Sequence, residues 1–200
     1  MTEPVFEPLC ESGAVTGRHK QMDRGKVAYT FAAGSQRLYD FLNQNALCAA
    51  HPVDYTNLPD QIARNDRVFS INNTTKMDLQ GQACSESAGF RHLTGTGGQL
   101  QFVRGAYMSR GGRSVICLSS TYERGDQPAS RIVATLTPGN VVTTPRTDVM
   151  YVVTEYGIAC LKGRSVPERA RALIDIAHPR FRESLEREAR EKNILPKGFF

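Results

Sequence analysis

The stretch Gly95-Thr96-Gly97-Gly98-Gln99-Leu100-Gln101-Phe102-Val103-Arg104-Gly105-Ala106 sets three glycines directly before a polar run and an Arg-Gly pair. Glycine tolerates positive φ and has no Cβ, so consecutive glycines let amide N–H groups converge on an oxygen-rich ligand or a developing oxyanion. The common nucleotide loops do not fit. No Gly-Lys-Ser/Thr completes a P-loop, and Leu100 stands where a dinucleotide fingerprint needs its last glycine. A different anion is implied; a plain hairpin turn between two strands is the other reading of the same residues.

Such a loop needs elements to hold it. Lys26 to Phe31 reads as a strand, Gly34-Ser35 as a turn and helix cap, and Leu38, Phe41 and Leu42 as the buried face of the helix that follows. Pro52, Pro59 and the polar residues between them interrupt the pattern, and Pro59 to Ala63 starts a short helix. Val68 to Ile71, Gln99 to Val103, Ser114 to Leu118, Arg131 to Ala134, Asn140 to Thr143 and Met150 to Thr154 read as strands. Most are short, β-branched and bounded by Gly or Pro, and their number and spacing suggest a mixed sheet. Ser165-Val166-Pro167-Glu168 is a capping-box pattern, and Ala170, Leu173, Ile174 and Ala177 recur at helical spacing behind it. His178-Pro179 ends or kinks that helix, and Phe181, Leu185 and Ala189 continue the stripe on a second, charged helix. The chain thus divides into a lead-in segment (1–25), a sheet-containing core (26–164) and C-terminal helices (165–195).

Two hundred residues with 40% hydrophobic content can bury one sizeable core. No apolar run approaches the roughly 18 residues of a membrane helix, and Met1-Thr2-Glu3 is unlike a signal peptide, so a soluble, cytoplasmic protein is expected. Cys10, Cys48, Cys84, Cys117 and Cys160 are widely spaced with no Cys-x-x-Cys pair, the pattern of free thiols in a reducing compartment. Cys117 lies in an apolar run and reads as a core residue rather than a nucleophile. His19, His51, His92 and His178 show no i,i+4 spacing, and no metal site is expected. The net charge of +5 includes one Arg110-Gly111-Gly112 element, but the arginines are spread out and interleaved with glutamates in the last third. That reads as a solvated mixed-charge surface rather than a nucleic-acid site, and it suits a ligand carrying several phosphates.

Four motifs follow one another: the run Ser70 to Gln82, Gly97-Gly98-Gln99, Val142-Thr143-Thr144-Pro145-Arg146 and Val153-Thr154-Glu155-Tyr156-Gly157. In this order they resemble the C-terminal half of the acetyl-CoA hydrolase/transferase family, close to its butyryl-CoA:acetate and 4-hydroxybutyrate CoA-transferases. The resemblance runs from Glu3-Pro4 to Pro196-Lys197-Gly198-Phe199-Phe200. It implies the α/β fold of the CoA-transferase and sugar-phosphate isomerase group, three layers (α/β/α) around a mixed central sheet, here without the paired N-terminal domain. It implies acyl-CoA and a small carboxylate such as acetate as substrates, coenzyme A as the group carried, and a homo-oligomer. Thioester hydrolysis and non-catalytic CoA binding are the alternatives. A large apolar patch is expected where the N-terminal domain packs.

The resemblance also implies site residues. Gly98, then Gly97, match a family glycine of the oxyanion hole and CoA contact, and Gln99 is the nearest polar side chain. Relatives often carry Asp where Gln101 stands, which leaves an acidic role there open. Asn57 resembles an asparagine lining the acyl site, with a turn or helix cap as its other reading. Glu155 resembles a glutamate near the nucleophile, against an ordinary loop charge. Thr75 and Arg124 are candidate CoA contacts; Arg146 reads as structural, and Arg104 fits either role. The family nucleophile is a glutamate in a His-x-Glu segment that aligns just upstream of Met1. Glu3 is the nearby substitute, against its reading as a solvated charge, and a C-terminal fragment cut beside the catalytic glutamate is the simpler expectation.

Overall fold

The computed structural model describes residues 6–196 apart from residue 126, with the side chains of Phe6 and Arg124 left out. Glu3 therefore lies outside the described residues. The first third holds α1 (Phe6–Glu11), β1 (Val27–Tyr29), α2 (Gln36–Leu42), β2 (Cys48–Ala50), α3 (Val53–Thr56) and α4 (Pro59–Ala63). Ser35 caps α2 by accepting a hydrogen bond from the Leu38 N–H, and Leu38 is fully buried. Strands β1 and β2 pair in parallel, Val27 opposite Cys48.

Next come β3 (Phe69–Asn73), β4 (Lys76–Asp78), β5 (Ala83–Cys84), β6 (Ser87–Ala88), β7 (Arg91–His92), α5 (Gln99–Met108) and β8 (Arg113–Cys117). The chain closes with β9 (Thr121–Arg124), β10 (Gln127–Ser130), β11 (Ile132–Val133), β12 (Tyr151–Thr154), β13 (Gly157–Cys160), α6 (Val166–Asp175) and α7 (Pro179–Glu191).

The largest sheet has the order β13-β12-β8-β3 and is mixed: β12, β8 and β3 are parallel, and β13 is antiparallel to β12. Its strand alternation sorts the side chains. In register, Asn72, Ile116, Val152 and Ala159 form a row on the face toward the core. Ile116, Val152 and Ala159 join Val103 of α5 and Ala170 and Leu173 of α6 in one buried cluster. Helix α5 packs on β3 and β8, α6 on β13 and α7. A second mixed sheet, β11-β4-β5, adds Met77, Ala83 and Ile132 to the same cluster.

The C-terminal helices follow their sequence pattern. Ser165 and Glu168 form the reciprocal capping box of α6, and the His178 ring accepts a hydrogen bond from the Arg180 N–H at the start of α7. Two strand expectations are corrected. Gln99–Val103 is the first half of helix α5, which is buried on two sides: Val103 joins the main cluster, and Gly105 lies against Ile62 of α4. Asn140–Thr143 forms no strand; Thr144 alone makes an isolated bridge to Ala83. None of the described helices is long and apolar enough to cross a membrane.

Candidate active site

The parallel strands β3, β8 and β12 end at one edge, where Asn73 lies beside Cys117 and Cys117 beside Val153. In open α/β sheets ligands bind beyond such carboxyl ends. The residues that follow are Thr74-Thr75, Leu118 to Ser120 and Glu155. Helix α5 connects toward β8 and packs on it, so its N-terminus turns to the same edge.

That N-terminus is made by the glycines. Gly97 has φ +60 and Gly98 φ −96 with ψ 4, an alternation that turns successive N–H groups to one side. Gly98 is the N-cap, its carbonyl accepts the Phe102 N–H at 3.0 Å, and no side chain caps the helix. The N–H groups of the first turn therefore have no partner within the helix.

Asn57 is seated against this turn. It terminates α3, its side chain is buried, and a Cβ on Gly98 would collide with its Nδ2. Thr56 Oγ1 donates to Asn57 Oδ1 at 2.9 Å, and Asn57 Nδ2 donates to Gln101 Oε1 at 3.2 Å. An amide nitrogen carries two hydrogens, so one is left after the bond to Gln101. Gln101 thus holds Asn57 through its side-chain oxygen.

The other expected residues are placed around that pair. Gln99 Nε2 donates to the buried Thr144 Oγ1 at 3.0 Å, which fastens the Thr-Thr-Pro motif to the glycine turn. Thr75 Oγ1 donates to the Cys84 carbonyl at 2.7 Å, and the Thr75 carbonyl accepts from Arg131. Arg124 is in β9 opposite Gln127. Glu155 accepts from the Ser120 N–H at 2.9 Å and from Ser120 Oγ at 2.5 Å. Burial pushes the Glu155 carboxyl up, but the Ser120 bonds, its own N–H and nearby His178 outweigh this and hold it below the usual glutamate range. Arg104 pairs with Asp148 at 3.2 Å, and Arg146 accepts from Arg169 through its carbonyl.

A cavity of about 300 Å³ opens beside Asn57, lined also by Lys20, Tyr29, Tyr55, Ile62 and Phe102. Tyr55 donates to Asp23 Oδ2 at 3.2 Å, and burial pushes the Lys20 ammonium down against the pull of Asp23. Lys20, Tyr29, Tyr55 and Ser120 carried no motif signal. Thr144 did, within its quoted run. Among the described residues, no three His, Cys, Asp or Glu side chains are grouped to hold a metal.

Comparison with known proteins decides what kind of site this is: residues 34–189 match the acetyl-CoA hydrolase/transferase C-terminal domain. The chain belongs to that family. It is 52% identical over 94% of its length to the succinyl-CoA:cyclohexane-1-carboxylate CoA transferase of Geobacter metallireducens, covering 42% of that protein. To the butyryl-CoA:acetate CoA-transferase of Anaerostipes caccae it is 47% identical over 95% of its length, covering 43% of the relative. The crystal structure of RipA from Yersinia pestis superposes with a TM-score of 0.90 at 44% identity, over 97% of this chain and 43% of that one. The chain thus spans less than half the length of these relatives, and its mixed α/β architecture is that of the family's C-terminal domain, compatible with the three-layer α/β/α arrangement.

Proposed function

We propose that this chain carries the C-terminal part of a site that moves coenzyme A between an acyl-CoA and a small carboxylate such as acetate. The observation that carries the reading is Asn57 seated against Gly98 at the open start of α5. Fixed N–H donors aimed at a developing oxyanion are what thioester attack by a carboxylate needs, since carboxylate is a weak nucleophile. Gly97 and Gly98 supply the backbone donors, and the remaining Asn57 amide hydrogen adds a side-chain donor. The neighbouring cavity has room for an acyl chain of a few carbons.

In the proposed sequence a glutamate attacks the thioester carbonyl, giving a mixed anhydride and free CoA thiolate. The thiolate attacks the glutamyl carbonyl, the first carboxylate leaves, and the glutamyl-CoA thioester remains. An incoming carboxylate reverses both steps and departs as the new acyl-CoA. Glu3 is the candidate nucleophile within this chain. Glu155, kept ionised by Ser120, serves as a fixed negative charge at the strand edge rather than a proton donor. Gln99, Thr75 and Arg124 are proposed for CoA contact. The two enzymes named above act on different carboxylates, so the proposal is for the class and not for one acid. Free cysteines throughout the described chain suit a cytoplasmic setting.

The test incubates the purified chain with butyryl-CoA and isotopically labelled acetate, and follows labelled acetyl-CoA and free CoA together. Exchange by this chain would place the nucleophile within it, with Glu3→Ala then abolishing the exchange and Gly98→Ala lowering it about 100-fold by displacing Asn57 and its donors; the absence of both products would fit a fragment cut beside the catalytic glutamate. Free CoA without exchange would make the protein a hydrolase. Retained CoA binding with neither product would make it a binding domain.

A further inference from the structure

The Arg110-Gly111-Gly112 element has a place in the fold that the candidate active site does not use. It turns the chain from α5 into β8, and residue 67 leads toward β3 beside it, so both lie at the amino ends of the parallel strands. Gly98 is at the other end of α5, about 15 Å away over that helix's ten residues. A Cβ on Gly112 would lie 2.2 Å from the Ala106 carbonyl oxygen, and Gly111 has φ +71. The Arg110 carbonyl accepts the Arg67 N–H at 2.9 Å, and Arg67 holds φ +54, a value that bulky residues seldom adopt. The two arginine backbones are thereby fixed side by side.

A cleft of about 970 Å³ opens at this corner, walled by residues 65–67, 110–111 and the lead-in stretch 14–21. Arg18, Lys20, Arg67 and Arg110 line it, and Asp66 is the one carboxylate among the lining residues. Arg110 gives Asp66 its Nε hydrogen and one from Nη2, a bidentate pair that leaves three N–H groups unused. Arg67 makes no hydrogen bond or ion pair among the described residues, so all five of its N–H groups are unused. Lys20 donates to the Lys26 carbonyl at 3.1 Å and keeps two hydrogens, and Arg18 gives its Nε hydrogen to His19 Nε2 at 3.0 Å. The Asp66 carboxyl is held below the usual carboxylate range by its bond to Arg110, with the charges of Arg110 and Arg67 adding to it against burial. Asp66 therefore stays an anion that orients Arg110, and it leaves the other three cations uncompensated within the cleft.

We propose that this cleft is a second binding site, for a small anion carrying a diphosphate group. Guanidinium forks match phosphate oxygens bidentately, and four cationic side chains exceed what a single carboxylate ligand can neutralise. No Phe or Tyr lines the cleft, so there is no platform for stacked bases as a single-stranded nucleic acid would need, and affinity should follow the phosphates rather than the base. Lys20 and Asn65 also line the cavity beside Asn57. A free nucleotide and the nucleotide end of coenzyme A both carry the required group. The inference does not rest on the transfer reaction.

The experiment titrates the purified chain calorimetrically at low ionic strength with inorganic pyrophosphate, ATP, coenzyme A and pantetheine, the last of which has no phosphate. Saturable one-to-one binding of pyrophosphate is expected, with ATP within a few-fold of it. Hydrogen exchange with pyrophosphate bound should slow at residues 14–21, 65–68 and 109–112. Arg67→Glu should weaken pyrophosphate binding at least about 10-fold. Arg187→Glu, the same charge change at an exposed residue of α7, should bind as the parent does. Circular dichroism and melting of Arg67→Glu, expected to match the parent, separate lost binding from lost folding. Coenzyme A binding far more tightly than ATP, with the excess lost in Arg67→Glu, would name the nucleotide end of coenzyme A as the occupant of the same cleft; equal affinities would name a free diphosphate. No saturable binding of any of the three phosphate compounds, protection confined to other residues, equal losses in Arg67→Glu and Arg187→Glu, or pantetheine slowing exchange at the same residues would each overturn the assignment.

Discussion

Residues 77–195 and residues 6–66 are built on different principles. The first stretch supplies every member of the main buried cluster, from Met77 to Leu195. The second buries Leu38 and Ile62 outside that cluster, and the packing of α4 on α5 together with polar contacts fastens it to the rest. Ser109 Oγ donates to the Asn65 carbonyl and Asp66 pairs with Arg110, while Asn65 Oδ1 ties the lead-in to the same corner by accepting the N–H groups of Gln21 and Met22. Asn57 belongs to residues 6–66, Gly98 to the main cluster's stretch. The candidate site therefore lies on the seam between the main buried cluster and a part joined to it by α4–α5 packing and a few bonds.

The largest expected effect tests that contrast directly. Leu173→Ala, inside the cluster, should cost about 3 kcal/mol in urea unfolding, while the equally buried Leu38→Ala should cost about half as much. Equal losses would mean the two parts share one core.

A smaller effect probes the seam. A Cβ on Gly105 of α5 would lie 2.5 Å from Ile62 Cβ and 2.6 Å from its Cγ2 on α4. Gly105→Ala should cost about 2 kcal/mol by pushing α4 away. Amide exchange should speed up across 53–66 and stay unchanged in β8 and β12. Uniform acceleration would refute a separable first part.

The smallest effect lies wholly in the packed part. The Glu155 carboxyl is held below the usual glutamate range in the folded chain, so its contribution is complete above the unfolded value and is lost as pH falls through the lowered one. Urea midpoints measured from pH 6 to pH 3 should therefore fall less steeply for Glu155→Gln than for the parent. Parallel slopes would show that the bonds to Ser120 do not stabilise the fold.

Legibility in the sequence followed the same divide. The C-terminal helices were readable because Ala170, Leu173, Ile174 and Ala177 repeat toward one core and Ser165 and Glu168 mark its entry. Helix α5 was not, because its buried face uses small residues and its Gly105 looks like a breaker until Ile62 is seen pressing on it. The two-residue strands β5, β6 and β7 are too short to show a period at all. Resemblance named Asn57 and Gly98 separately. Their contact is a tertiary fact that no spacing encodes, and Ser120, the buried partner of Glu155, stands in no motif.

The seat of α4 on Gly105 also sets an order in time. Ile62 leaves the ribosome before the helix it rests on, with about forty residues still to be added. At roughly 5–20 residues per second, that is a wait of about 2–8 s. During synthesis α4 and the Asn57 turn behind it are a nascent segment without a platform, and the acyl-side half of the candidate site can form only after the glycine turn and α5 have emerged.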